Sequence, residues 1–149
     1  MPVVTNAAQP AFTNHNVTAR GLVNAETGAT QSSLMVVTYE PKGYMGPHYH
    51  DQEQIMYCLE GEGLVYFENN PLALQVGQTA LIPAGMRHAV FNTGAGPFRL
   101  AVFSPAGTLT THWLTKNRRA ILEMPFVRST VEADRPAAGK ANETKKSAA

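Results

Sequence analysis

Short apolar runs set off by turn residues give this chain its rhythm. Residues 33–40 (SLMVVTYE) are rich in β-branched and aromatic side chains and stop at Pro41, which predicts a strand. Further strands are predicted at 53–61, 64–68, 72–76, 79–82, 88–91 and 98–103, with turns such as ENNP between them. Shorter strands broken by turn signals are expected from residue 12 to residue 40. The stretch 41–47 (PKGYMGP) carries two glycines and two prolines and reads as a turn. Within 53–61 the side chains divide by parity. Gln54, Met56 and Cys58 share one face, while Glu53, Ile55, Tyr57 and Leu59 share the other. Many short strands at this spacing predict an all-β sandwich or barrel. Residues 111–124 (THWLTKNRRAILEM) fit either a short helix or a strand with a basic patch.

The organisation that follows is a loose N-terminal arm over 1–14, one β-barrel domain with a C-terminal extension over 15–131, and a tail over 132–149. The tail lacks large apolar residues and is expected to be disordered, with Lys145 and Lys146 solvated. A length of 149 residues suits one domain, and 44% apolar against 15% charged residues supports a real core. The net charge of +1 gives no field that would recruit nucleic acid or an acidic membrane. The single cysteine, Cys58, excludes an intrachain disulfide framework and fits a reducing compartment. The first residues lack the basic start and apolar run of a signal peptide, and no apolar run approaches a membrane span. A cytoplasmic protein with a small-molecule substrate is expected.

Two clusters carry candidate chemistry. Residues 47–63 read PHYHDQEQIMYCLEGEG, with His48 and His50 one residue apart and Glu53 and Gln54 close behind. Residues 77–92 read GQTALIPAGMRHAVFN, a G-x5-P-x-G-x2-H-x3-N pattern met by Gly77, Pro83, Gly85, His88 and Asn92. Chance would produce that match on the order of once per million starting points or less. Gly77 suits a turn closed to other residues, and Pro83 with Gly85 sets a tight turn before His88, which then opens a strand.

These two clusters resemble the motifs of the cupin family, a small jelly-roll β-barrel. The second motif matches at every position. In the first, G-x5-H-x-H-x3,4-E-x6-G, His48, His50 and Gly61 match. Lys42 stands at the leading glycine with Gly43 after it, and Gln54 stands where glutamate is usual. The resemblance covers about two thirds of the chain. It implies one divalent transition metal (Zn, Fe, Ni, Mn or Co) held by His48, His50, Gln54 and His88. Strand parity agrees, since Gln54 shares the parity of the two histidines and Glu53 does not. A straight strand would put Gln54 about 13 Å from His50, so a bend is required near Asp51 and Gln52.

A glutamine in place of glutamate makes the donor set neutral. A dication then keeps its full charge, which favours polarising a carbonyl over oxygen activation, a chemistry usually associated with a carboxylate ligand. The expected activity is a non-redox isomerase, cyclase or lyase on a small carbonyl- or enol-bearing substrate, similar to uronate-ketonising and polyketide-cyclase cupins. An iron dioxygenase cleaving a diketone or enol is the second reading, and a non-catalytic small-ligand barrel the third. Tyr44, Tyr39 and His112 are the candidate proton carriers. His15 and His112 have no motif that would make them ligands, and Arg118 and Arg119 are expected to be solvated. Cys58 reads as a core residue, and Met35, Val37, Met56 and Val102 as barrel packing that can line a pocket. The arm and the segment after Ser104 are long enough to close one mouth of the barrel or to swap between subunits. The outer face bearing Ile55, Tyr57 and Leu59 predicts a homodimer.

Overall fold

Buried and exposed residues alternate along most of the chain, and the result is a set of short strands in two sheets. In the computed structural model, residues 3–132 are described. The strands are β1 (Ala11–Asn14), β2 (Val17–Val23), β3 (Ser33–Tyr39), β4 (Tyr44–His50), β5 (Gln54–Glu60), β6 (Glu62–Phe67), β7 (Asn70–Gln75), β8 (Thr79–Ile82), β9 (His88–Asn92), β10 (Phe98–Ser104), β11 (Leu109–Trp113) and β12 (Val127–Val131). One sheet has the order β1-β2-β3-β10-β5-β8 and the other β12-β11-β4-β9-β6-β7. From β3 to β6 and again from β7 to β11, each successive strand lies in the opposite sheet. The fold is the expected all-β jelly roll. One buried cluster draws on both sheets, with Phe98, Leu100, Val37, Val65, Val90 and Leu109 almost fully enclosed. Among the described residues no helix is long and apolar enough to cross a membrane.

Several local expectations change. The arm is not loose up to residue 14, because Ala11–Asn14 pairs with β2 at the edge of the first sheet. Residues 41–47 are not all turn. Gly46 and Pro47 lie inside β4, where the pairing with β9 slips between Met45 and His48. Glycine and proline are breakers in a regular strand but are tolerated at a bulge. Residues 111–124 contain no α-helix. Their first three residues finish β11, and a single turn of 3-10 helix follows at Arg118–Ala120. The tail expected from residue 132 lies, Glu132 apart, outside the described residues.

The glycines of the second motif sit where they must. Gln78 N–H closes a turn on Gln75 O at 3.0 Å with Gly77 at φ +91°. Met86 N–H closes another on Pro83 O at 3.1 Å with Gly85 at φ +78°. Gly85 N–H also donates to His50 O at 2.8 Å, so the second motif's turn is fastened to the end of β4. Asn92 is a staple: its Nδ2 donates to Tyr39 O and Gly96 O at 2.8 and 2.9 Å, and its Oδ1 accepts from Gly94 N–H. Lys42, at the position usually glycine, has φ +70°, so the backbone keeps the left-handed turn without the residue suited to it.

On the outer face of the first sheet, Ile55 lies opposite Leu81 on β8 and Phe103 on β10. Ile55, Tyr57, Leu59, Leu81 and Phe103 are 37–57% exposed, which leaves an apolar surface across three strands.

Candidate metal centre

His48 and His50 point inward from the end of β4, and the bulge decides which residues join them. Because the register slips at Gly46–Pro47, the inward side chain before His48 is that of Met45, three positions earlier, and Tyr44 faces outward. Tyr44 stacks on Phe91 with ring centroids 5.3 Å apart, and its hydroxyl accepts from Asn117 Nδ2 at 2.7 Å. It does not line the central cavity. His112 also faces outward, since Leu109, Thr111 and Trp113 are the buried residues of β11. It lies against Asp51 (2.8 Å) and Thr130 (2.9 Å) and stacks on Tyr49. The expectation that Tyr44 and His112 serve the pocket is therefore corrected. Tyr39 does line the cavity, fully enclosed, and burial pushes its phenol above the ordinary range.

His88 enters from β9 directly opposite His48. The His48 and His88 rings are 4.2 Å apart, His48 and His50 are 4.9 Å, and His50 and His88 are 5.2 Å. One ring nitrogen from each histidine falls in a group whose members all lie within 4.8 Å of one another. The three histidines are positioned to bind a metal.

The other ring nitrogens are already held. His48 Nδ1 donates to Gly46 O (2.7 Å), His88 Nδ1 donates to Met86 O (2.9 Å), and His50 Nδ1 meets Thr111 Oγ1 (2.9 Å). An N–H fixed on a carbonyl oxygen leaves the opposite nitrogen, Nε2, as the lone-pair donor. His88 Nε2 is fully buried and has no hydrogen-bond partner. Leaving such an acceptor unmatched costs about 1–3 kcal/mol, so the arrangement fits a cation better than an apolar core.

The chain turns sharply through residues 51–53 and crosses to the other sheet, where β5 begins at Gln54. That corner removes the distance problem of a straight strand. Gln54 is 2% exposed and lines the cavity with His48 and His50, whereas Glu53 is exposed on the corner. Gln54 Nε2 donates to Ser104 Oγ at 3.2 Å, which leaves Oε1 as the available end of the amide.

The site is electrically neutral. Burial, and then the neighbouring His88, pulls His50 down to about 3. Burial pulls His88 down to about 4, and burial with its two histidine neighbours holds His48 well below its usual range. All three imidazoles are thus unprotonated near pH 7, the form in which an imidazole can donate to a metal. No carboxylate, lysine or arginine lines the cavity among the described residues. Its wall is apolar and rich in methionine: Met35, Met45, Met56 and Met124, with Val37, Val102 and Leu122. Cys58 is buried, and burial pushes its thiol up. His15 is remote, beside Arg119, and Arg118 pairs with Glu123 at the surface.

Three contributors were not foreseen. Thr111 orients His50, Ser104 orients Gln54, and Trp113 packs on His48 with centroids 4.6 Å apart. The alternation of Leu109, Thr111 and Trp113 is the sequence signal that points two of them inward.

Residues 35–104 match the model of the Cupin domain family. An uncharacterized protein of Aquifex aeolicus (strain VF5) is 38% identical over 61 residues, which is 40% of this chain. The matched stretch is 50% of that relative's length, so the chain spans about half of the curated relative it matches. Among solved structures, the polyketide cyclase RemF from Streptomyces resistomycificus is similar with a TM-score of 0.64 at 23% identity, covering 73% of this chain and 83% of that one. A sugar phosphate isomerase of the cupin superfamily from Silicibacter pomeroyi gives 0.62 at 20% identity, covering 74% and 80%. Oxalate decarboxylase from Bacillus subtilis gives 0.63 at 14% identity, covering 70% and 28%. At these identities the structures share the fold. The family match over residues 35–104, both histidine motifs and the jelly roll agree on a cupin domain in that part of the chain.

Proposed function

We propose that the chain is a metal-dependent enzyme that enolises a small, mainly apolar, carbonyl-bearing substrate, in an isomerase, cyclase or lyase reaction. The observation that carries this reading is the neutral donor set inside an apolar cavity. His48, His50 and His88 would hold the ion, with Gln54 Oε1 as fourth donor. A divalent cation bound there supplies Lewis acidity for a carbonyl oxygen. The chain supplies the rest. Thr111 and the carbonyl oxygens of Gly46 and Met86 fix the imidazoles, and the methionine-rich wall excludes water and seats the apolar part of the substrate. Tyr39, kept protonated by burial, is the group suited to donate a hydrogen bond from its hydroxyl to the developing oxyanion. Oxalate and sugar phosphates, named for two structural neighbours, are strongly anionic, and apart from the metal ion itself they would meet no side-chain cation in this lining. A polyketide-type substrate, named for a third, suits it better.

The test is proton exchange. Protein loaded with zinc, nickel or manganese is incubated in heavy water with apolar 1,3-diketones, and deuterium at the carbon between the carbonyls is followed by NMR. Metal-dependent exchange above the free-metal rate is expected. Oxygen uptake matching substrate loss in the iron-loaded protein would move the assignment to a dioxygenase. Neither signal, with metal bound, would leave a ligand-binding barrel. The homodimer is likewise a proposal, supported by the apolar outer face around Tyr57.

A further inference from the structure

The cavity beside the histidines is only about 30 Å³, space for roughly one or two water molecules. Small-molecule sites are usually roughly 300–1,000 Å³. An organic substrate therefore needs some part of the wall to move. Almost every lining residue belongs to a strand held in its ladder. Leu122 and Met124 are the exceptions, since they lie in the irregular stretch between the 3-10 turn and β12.

We infer that residues 115–125 form a flap over the metal centre, latched by Asn14, and that an apolar substrate reaches the histidines by displacing Leu122 and Met124. The stretch is tied at both ends. Leu114 N–H donates to Pro47 O at 2.8 Å, and Leu109 N–H donates to Phe126 O at 3.0 Å. Between these points its main-chain bonds are local, as in Ala120 N–H to Asn117 O. Side chains hold it to the barrel instead. Asn14 Nδ2 donates to Arg118 O at 2.7 Å and to Ile121 O, and Asn117 Nδ2 donates to Tyr44 Oη at 2.7 Å. The flap also rests closely on the β4 bulge, where a Cβ at Gly46 would come within 2.9 Å of both Ala120 and Thr115.

The closed form dominates because Ile121, Leu122 and Met124 are each at least nine-tenths buried. Opening exposes that apolar wall, and a ligand offsets the exposure only by covering it with apolar surface of its own. Substrate selection then has two parts. The metal reads one or two oxygen donors, and the vacated Leu122–Met124 space reads an apolar body. The substrate class rests on the proposed enolisation above, whereas the motion does not.

The experiment is hydrogen–deuterium exchange with mass spectrometry on the full chain, wild type against Asn14→Ala and Asn117→Ala. The latch predicts that amides in 115–125 exchange about tenfold faster in Asn14→Ala, with β4 and β9 unchanged, and faster also in Asn117→Ala. Arg118→Ala keeps the carbonyl that Asn14 uses and should match wild type. In the zinc-loaded protein, removal of the metal by 1,10-phenanthroline should accelerate by a similar factor in Asn14→Ala. Exchange in 115–125 as slow as in β9 and unaltered by either latch variant overturns the flap. If Asn14→Ala does not fold, Asn117→Ala carries the same decision. A chain that takes up none of zinc, iron, nickel, manganese or cobalt refutes the metal centre, while the exchange result still decides the flap.

Discussion

Gln54→Glu tests the charge argument directly. The substitution keeps the side-chain volume and adds one negative charge to a cavity with no other ionised lining group. Gln54 is 2% exposed, so the carboxylate is expensive to bury without a cation, several kcal/mol for an isolated ion. It also loses the N–H that donates to Ser104 Oγ. The metal-free variant should therefore be less stable by about 1–3 kcal/mol near pH 7, with its carboxyl protonated in part. With metal the sign reverses. A unit charge pair about 4 Å apart at an effective dielectric near 20 is worth about 4 kcal/mol, and a dication doubles that. After the burial cost, a net gain of about 1.4–4 kcal/mol remains, a 10- to 1,000-fold tighter site. The tighter ion is a weaker Lewis acid, so enolisation should slow at least about tenfold. Competitive zinc titration with a chromophoric chelator reads the first effect and α-deuterium exchange reads the second. Gln54→Leu keeps the site neutral and removes the amide, so it should lose affinity, whereas Glu53→Gln on the exposed corner should change neither quantity. Equal affinity and equal turnover in wild type and Gln54→Glu would refute both the amide's place in the site and the reasoning from its charge.

The remaining tests address the fold, its pH response and its assembly. Lys42→Gly relieves a left-handed residue at φ +70° and should stabilise the protein by about 0.5–1 kcal/mol, raising Tm by about 1–4 °C in calorimetry; an unchanged or lower Tm would show that the strain is relieved elsewhere. His50 and His88 are held near 3 and 4, below the ordinary value near 6.5 of an unfolded imidazole, so between these values the unfolded chain binds more protons. Stability of the metal-free protein is accordingly full above about pH 6.5 and falls as the pH drops, by about 2 kcal/mol per buried histidine at pH 5, and a flat urea midpoint from pH 7 to 5 would contradict that. Tyr57→Glu, placed on the apolar outer face, should shift sedimentation from dimer to monomer, and a monomeric wild type at tens of micromolar would exclude the homodimer.

What the sequence made legible is what short-range geometry determines. His88 opens β9 because Pro83 and Gly85 close the turn before it, all within six residues. Gln54 faces inward because β5 alternates strictly, with Met56 and Cys58 buried and Ile55 and Tyr57 exposed. The same parity rule fails wherever the ladder slips. Carried back from His48 it places Tyr44 in the cavity, and the bulge at Gly46–Pro47 turns Tyr44 out and Met45 in. Nothing in the residues themselves separates a glycine–proline pair that ends a strand from one that bulges it, because the choice depends on β9 across the ladder. The harder loss is in sequence distance. Asn14 and Ile121 are 107 positions apart, yet their hydrogen bond holds the segment that closes the cavity. An asparagine near the start of a chain carries no local sign of such a partner. The donor set could thus be read from two motifs, while the access to it depends on contacts between the two ends of the domain. Those contacts decide how large a molecule the histidines ever meet, so the specificity of this barrel lies outside the motifs that identify it.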